Sequence, residues 1–143
     1  MTTHLKTATE RGTIYTLGAS CPDAAAHLDR LMRNSQACLV DIRSHPRSPQ
    51  APQWSRGALS GRYRRRYVWE RRLGTLSSQQ LERGTRLAEG HGEAIREAAA
   101  LLCEGTSLIL LCECSDARTC HRSLVAKLIQ DALPIPKHGE VRA

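Results

Sequence analysis

Three short hydrophobic runs predict the strands of a sheet. Residues 13–17 alternate β-forming side chains and end at Gly18, which is typical of a short strand closed by a turn. Residues 37–42 and 107–112 are continuously apolar and too short for helices. Continuous apolar runs of this length are typical of parallel strands that are covered on both faces.

Apolar residues at helical spacing separate these runs. A Pro-Asp pair at residues 22–23 opens one predicted helix, and Thr119 caps a last helix that ends before Pro134. Three prolines make residues 44–53 a loop. The remaining predicted elements are a short helix over residues 55–64, a weak strand over residues 67–69, and a helix over residues 92–104 that Gly105 closes.

The alternation of strands and helices predicts the fold class. We expect a single three-layer α/β domain, with a mostly parallel sheet of about four strands flanked by helices. A chain of 143 residues suits one such domain. We assign the domain to residues 12–135 and expect flexible tails over residues 1–11 and 136–143, which show no periodicity.

Segments with polar, charged and cysteine side chains directly follow the predicted strands. They are residues 18–20 (GAS), 41–44 (DIRS) and 112–122 (CECSDARTCHR). Because sites in open parallel sheets collect at the carboxyl ends of the strands, we expect these three segments to converge.

Positive charge is concentrated in one segment. Residues 43–72 hold nine arginines and one acid, for a charge of +8, whereas the rest of the chain sums to −1. This concentration is typical of a surface that faces phosphates. Within it, Arg64, Arg65, Arg66 and Tyr67 are candidate contacts to a nucleic acid, since aromatic residues beside arginines suit bases and phosphates. The alternatives are a solvated basic face and a strand with Tyr67 in the core.

The start of the chain indicates the compartment. The first twelve residues lack the apolar segment of a secretory signal, and no run is long enough to span a membrane. We therefore expect a cytoplasmic protein without a membrane partner, whose six cysteines are thiols.

Four sequence blocks resemble the family named domain of unknown function 488. They read TLGAS, LVDIRSHPRSPQAPQWS, YVWERRLG and LLCECSDARTCHRSLVA, and they extend from Thr13 to Ile129. The resemblance implies the fold and the location of the site rather than a reaction. Cys114 stands where the family pattern usually has an acid. If that acid is a general base, this chain lacks it.

The last block has three competing interpretations. Cys112, Cys114, Cys120 and His121 have the ligand chemistry of a zinc site, although the spacing is not a common zinc framework. Cys112 to Arg118 has the C-x5-R outline of a loop that presents a catalytic thiolate, but Glu113 and Asp116 within it oppose an anion. The third interpretation, which we prefer, places an anion at the start of the last helix, bound by Arg122 and the backbone before Cys120. The alternative is that His121 caps structure and that Cys120 is a small, buried apolar residue.

Residues at the other strand ends complete the candidate site. The helix dipole is expected to lower the pKa of His121 and leave it neutral as a base. Asp41 is a candidate base or a positioning partner of Arg43, and the alternative is a structural ion pair. Ser20 and Ser44 are candidate hydroxyl ligands.

The sequence thus predicts binding of a nucleotide, a nucleic acid or a phosphorylated small molecule at the strand ends. A hydrolase or transferase would use Asp41, Cys112 and His121. The ligand contacts would come from Ser20, Arg43, Ser44, Arg64, Arg65, Arg66, Tyr67, Cys120 and Arg122. The alternatives are a non-enzymatic nucleic-acid-binding module, a phosphatase- or sulfurtransferase-like cysteine enzyme, and a zinc-stabilised interaction protein. No cofactor is predicted, with zinc as the alternative.

Overall fold

A four-stranded, all-parallel sheet forms the centre of the protein. The computed structural model describes residues 11–48, 50–75, 87–113 and 121–134. The strands are β1 (Ile14–Gly18), β2 (Ala37–Asp41), β3 (Tyr67–Trp69) and β4 (Ser107–Cys112). Their order across the sheet is β1-β4-β2-β3. The predicted strands and the parallel sheet are confirmed.

Helices cover both faces of this sheet. They are α1 (Ala24–Leu31), α2 (Arg56–Tyr63), α3 (His91–Cys103) and α4 (His121–Asp131). α1 and α2 pack on one face, and α3 and α4 pack on the other. Short 3-10 turns lie at Pro52–Trp54, Arg64–Arg66 and Arg71–Leu73. The three-layer α/β architecture is therefore confirmed.

The central strand β4 shows why the apolar runs are continuous. Leu108 and Leu110 point into the core shared with α3 and α4, while Ile109 and Leu111 point into the core shared with α1 and α2. All four side chains have no measurable exposure. Because successive side chains of a strand face opposite sides of a sheet, a strand between two helical layers needs apolar residues at every position.

One predicted helix end depends on backbone conformation. Gly105, two residues after α3, has a φ of 99°, in the left-handed region. Its N–H donates to the carbonyl of Leu102 at 3.0 Å, and the chain then turns into β4. Glycine adopts this conformation without the steric cost that a Cβ would bring, so the predicted helix stop is confirmed.

The connection after β4 leaves on the opposite face of the sheet from the connections after its two neighbours, β1 and β2. The chain leaves β1 and β2 towards α1 and α2 on one face, whereas α4, which follows β4, lies on the opposite face. Adjacent strands whose connections leave in opposite directions create a crevice at their carboxyl ends. The fold therefore has such a crevice on each side of the end of β4.

The two predicted tails lie outside the described residues, apart from Arg11. The Arg11 guanidinium donates to the carbonyl of Pro134 at 2.8 Å, which brings residues near the two ends of the domain together. In the described part of the chain, no helix has the length and apolar character needed to cross a membrane.

Candidate functional site

A buried ion pair occupies the end of β2. The Asp41 carboxylate is fully buried and accepts two hydrogen bonds from the Arg43 guanidinium, from Nε at 2.8 Å and from Nη2 at 2.7 Å. The Tyr67 hydroxyl donates to the same carboxylate at 2.6 Å. Burial, followed by this hydrogen bond to Asp41, raises the pKa of Tyr67, so the phenol remains a donor. Asp41 is thus enclosed by donors, as the structural alternative requires.

Arg43 uses every guanidinium N–H within the protein. Besides its bonds to Asp41, Nη2 donates to the Trp54 carbonyl at 2.6 Å. Nη1 donates to the Ser48 hydroxyl at 3.4 Å and to the Glu113 carboxylate at 3.3 Å. A guanidinium has five N–H donors, and these contacts occupy all of them. A ligand could bind Arg43 only by displacing one of these partners.

Two further candidate ligands are engaged elsewhere. The Ser44 hydroxyl donates to the Thr75 carbonyl at 2.9 Å. Tyr67 is 8% exposed and lies in the core next to α1 and α2, in agreement with the alternative that it is a core residue of a weak strand.

His121 lies on the opposite face of the sheet from the Asp41 side chain. It begins α4, and its Nε2 contacts the carbonyl of Ile42 at 3.0 Å. Burial lowers the pKa of His121, the carbonyls of Ile42 and Leu73 act against this, and the charge of Arg122 adds to the lowering. The predicted direction of the shift is confirmed, but burial is its main cause.

Cys112 and Arg122 form a contact on the His121 face. Arg122 is 4% exposed, and its Nη1 donates to the Cys112 sulfur at 3.1 Å. The Cys112 sulfur is disulfide-bonded in this structure, whereas Cys21, Cys38 and Cys103 are free thiols. The expectation that all six cysteines are thiols is therefore wrong for Cys112. A nucleophilic role would require its reduction.

The three predicted catalytic residues consequently do not meet in one place. Asp41 faces the α1 and α2 side, enclosed by Arg43 and Tyr67, while Cys112 and His121 face the α3 and α4 side. They share the same end of the sheet but not the same face.

The proposed zinc ligands are only partly within the described structure. Cys114 and Cys120 lie outside the described residues, as does the backbone before Cys120 that was expected to bind an anion. Among the residues that are described, no cluster of three potential metal ligands occurs. The zinc alternative stays a prediction.

The predicted arginine cluster lies at the other end of the sheet. Arg64, Arg65 and Arg66 directly precede β3, and all four strands are parallel, so the cluster sits at the amino-terminal edge. Arg66 is held there by the carbonyls of Met32, Asn34 and Ala37, at 2.8, 2.6 and 3.0 Å. The structure does not bring this cluster to the crevice where the strands end.

A cavity forms at the carboxyl ends of the strands, between residues that follow β1, β2 and β4, although the predicted segment 41–44 does not line it. Its volume is about 430 Å³, and we call it the rim cavity. Ser20 follows β1, Arg47 and Ser48 follow β2, and Glu113 follows β4. The Ser48 hydroxyl donates to the Glu113 carboxylate at 3.2 Å, and Ser20 and Arg47 are exposed. Ser20 is the predicted site residue that this cavity contains.

Sequence reasoning missed Arg47, Ser48 and Glu113 as members of the site. Arg47 and Ser48 lie in the proline-rich loop, which the sequence marks as irregular without indicating where its side chains point. Glu113 carried the clearest signal, because it directly follows the last residue of β4.

A second cavity, of about 480 Å³, lies at the end of β1 on its outer side. Arg122 and Arg30 line it together with Gly18, Cys21, Asp23 and His27. Arg122 is therefore at the carboxyl end of the sheet, as predicted, but in a different hollow from Ser20.

These features define a parallel α/β domain of the doubly wound type, with a cavity at the carboxyl ends of its strands. The family model described as "Domain of unknown function DUF488" matches residues 23–129, and the chain belongs to that family. No curated protein and no solved structure matches the chain.

Proposed function

We propose that this protein binds a phosphate-bearing ligand, a nucleotide or a nucleic acid, in the rim cavity. The observation that carries the proposal is the convergence of Ser20, Arg47 and Ser48 in one hollow at the strand ends. A serine hydroxyl such as that of Ser20 and a guanidinium fork such as that of Arg47 are groups that proteins commonly use for phosphate oxygens, whereas the Ser48 hydroxyl already donates to Glu113. The position also agrees with the general location of ligands in open parallel sheets.

Glu113 is the feature of the cavity that opposes an anion. Its carboxylate lies 3.3 Å from Arg43 Nη1 and accepts a hydrogen bond from the Ser48 hydroxyl. The negative charge of Glu113 is therefore partly balanced from the buried side. Arg47, by contrast, has no carboxylate within 4 Å in the described chain. A phosphate placed beside Arg47 would therefore meet a cation whose charge no described carboxylate neutralises.

Binding is favoured over catalysis by the state of the predicted catalytic groups. Asp41 is enclosed by Arg43 and Tyr67, and His121 contacts a backbone carbonyl. A general base must reach the proton that it removes, and neither group faces the rim cavity. Of the described ionisable groups that line the cavity, Arg47 and Glu113, the carboxylate of Glu113 is the one suited to accept a proton in a hydrolase or transferase.

The test is a titration of the protein with inorganic pyrophosphate and with AMP. Binding is measured by isothermal titration calorimetry or by NMR chemical shifts of the backbone amides. We expect Arg47→Ala to weaken binding by about tenfold or more, because a charge-assisted hydrogen bond contributes about 1.5–3 kcal/mol. Arg65→Ala removes the same charge from an exposed arginine at the opposite edge and is the matched control.

Two results would contradict the proposal. One is a wild-type protein that binds neither pyrophosphate nor AMP. The other is an equal loss in Arg47→Ala and Arg65→Ala, which would indicate a general effect of net charge.

A further inference from the structure

Two arginines stack on one tryptophan at the carboxyl end of the sheet. Trp69 ends β3, and its indole Nε1 donates to the Arg43 carbonyl at 2.8 Å. The guanidinium carbon of Arg56 lies 4.7 Å from the centre of the Trp69 ring, and that of Arg71 lies 5.6 Å from it. Both distances are within the range of cation–π contacts, so the indole holds two cations in defined positions.

Backbone contacts tie this pair to the loop that carries Arg47 and to the end of β2. The Arg56 N–H donates to the Pro46 carbonyl at 3.0 Å, so the first residue of α2 is tied to the loop that carries Arg47. The Glu70 N–H donates to the Asp41 carbonyl at 2.9 Å, which ties the turn that carries Arg71 to the end of β2. Arg47, Arg56 and Arg71 are all exposed. We call these three residues the upper arginines.

Among the described residues, the upper arginines have no acidic partner, unlike their neighbour Arg72. Arg72 donates to Glu70 at 2.8 Å and to Glu97 at 2.7 Å. Across the described residues, no carboxylate comes within 4 Å of the guanidinium groups of the upper arginines. Cations that are grouped without counter-charges repel one another, and an external anion relieves this repulsion.

We propose that the upper arginines are a binding surface for the phosphate backbone of a nucleic acid strand, continuous with the rim cavity. This inference rests on the proposed function, and it chooses a polymer over a single nucleotide because the cations extend from the cavity to the end of the edge strand β3. The Trp69 ring is already covered by guanidinium groups, so the surface contacts phosphates rather than stacking on bases. Binding is therefore independent of base sequence.

The experiment compares two double variants against one fluorescein-labelled DNA oligonucleotide, tested as a single strand and as a duplex by anisotropy over a range of salt concentrations. Arg56→Ala with Arg71→Ala removes two upper arginines. Arg33→Ala with Arg65→Ala removes two exposed arginines near the amino-terminal edge of the sheet, so both variants lose the same charge. Circular dichroism and thermal melting check that each variant is folded.

The slope of log K against log salt is negative, and each phosphate contact contributes about 1 to its magnitude. We therefore expect the Arg56→Ala, Arg71→Ala variant to reduce the magnitude of the slope by about 2. Its loss of affinity relative to the wild type is then about tenfold larger at 50 mM than at 200 mM salt. The second variant should bind like the wild type. Arg56→Lys with Arg71→Lys retains both charges and should retain the salt slope, which separates charge from loss of the stacked arrangement.

An equal effect of the two alanine variants would overturn the inference, since the surface would then have no defined position. Absence of oligonucleotide binding by the wild type would also overturn it. If pyrophosphate or AMP still binds in that case and Arg47→Ala still weakens the binding, the proposed function stands and only its extension to a polymer fails.

Discussion

Arg43 and Arg66 come from the same basic segment and are immobilised in opposite ways at opposite ends of the sheet. At the carboxyl-terminal edge, Arg43 is 4% exposed and is held by the charge of Asp41. At the amino-terminal edge, the partly buried Arg66 is held by three backbone carbonyls. A buried cation needs a counter-charge, whereas a cation with access to water can be satisfied by dipoles.

The arginines of the basic segment, residues 43–72, therefore have different roles. Arg43 and Arg66 organise the fold, and Arg62 and Arg72 pair with acids on the surface. The exposed arginines that remain separate into the upper arginines at one edge and Arg64 and Arg65 at the other. A charge total along the chain therefore overstates the size of any single cationic surface.

Removing the counter-charge of Arg43 should have the largest effect on stability. In Asp41→Asn the buried guanidinium loses its anion, and we expect the free energy of unfolding to fall by about 3–5 kcal/mol. Asp29→Asn is the matched control, because Asp29 pairs with Arg62 at an exposed site where such pairs contribute about 0–1 kcal/mol. Urea denaturation measures both. Similar losses in the two variants would contradict the distinction between buried and exposed pairs.

Removing Arg66 should have a smaller effect. Arg66→Ala leaves the carbonyls of Met32, Asn34 and Ala37 without this donor, but water can reach part of this edge, and we expect a loss of about 2 kcal/mol. Arg66→Lys keeps the charge without the planar set of donors and should recover only part of the stability. Full recovery in the lysine variant would show that charge alone matters there. Arg65→Ala should be neutral in the same urea experiment.

The smallest expected effect is the pH dependence of stability that His121 contributes on its face of the sheet. Burial lowers the pKa of His121 below its ordinary value of 6.5. The unfolded chain therefore binds the proton more readily than the folded chain, and the stability from neutral His121 is complete above about pH 6.5 and declines as the pH falls below it. His121→Gln keeps a hydrogen-bond donor but does not titrate.

Unfolding free energies of the wild type and of His121→Gln, measured from about pH 8 to pH 5, test this expectation. The difference between the two proteins should narrow or reverse towards pH 5 as the wild type loses stability. Parallel pH profiles would show that His121 has the same proton affinity in the folded and unfolded states.

The strands and helices could be predicted because their signals are local. A doubly buried strand such as β4 must be apolar at each position, and an amphipathic helix such as α3 must repeat its apolar residues at helical spacing. Even the three-residue strand β3 was predicted, although only as a weak strand. The candidate site was less accessible, since Ser20 was predicted to line it while Arg47, Ser48 and Glu113 were not.

By itself, the sequence determined which segments form the sheet and that their carboxyl ends carry the polar residues, because hydrophobic periodicity and turn residues act within a few positions along the chain. The tertiary structure alone decided which polar residues meet. The order β1-β4-β2-β3 places the loops after β1, β2 and β4 around one hollow. The packing of α4 on the face opposite to α1 and α2 separates His121 from Asp41, and the parallel pairing of β3 with β2 places Arg64–Arg66 at the far end of the sheet. These arrangements depend on contacts between distant residues, which no local pattern encodes.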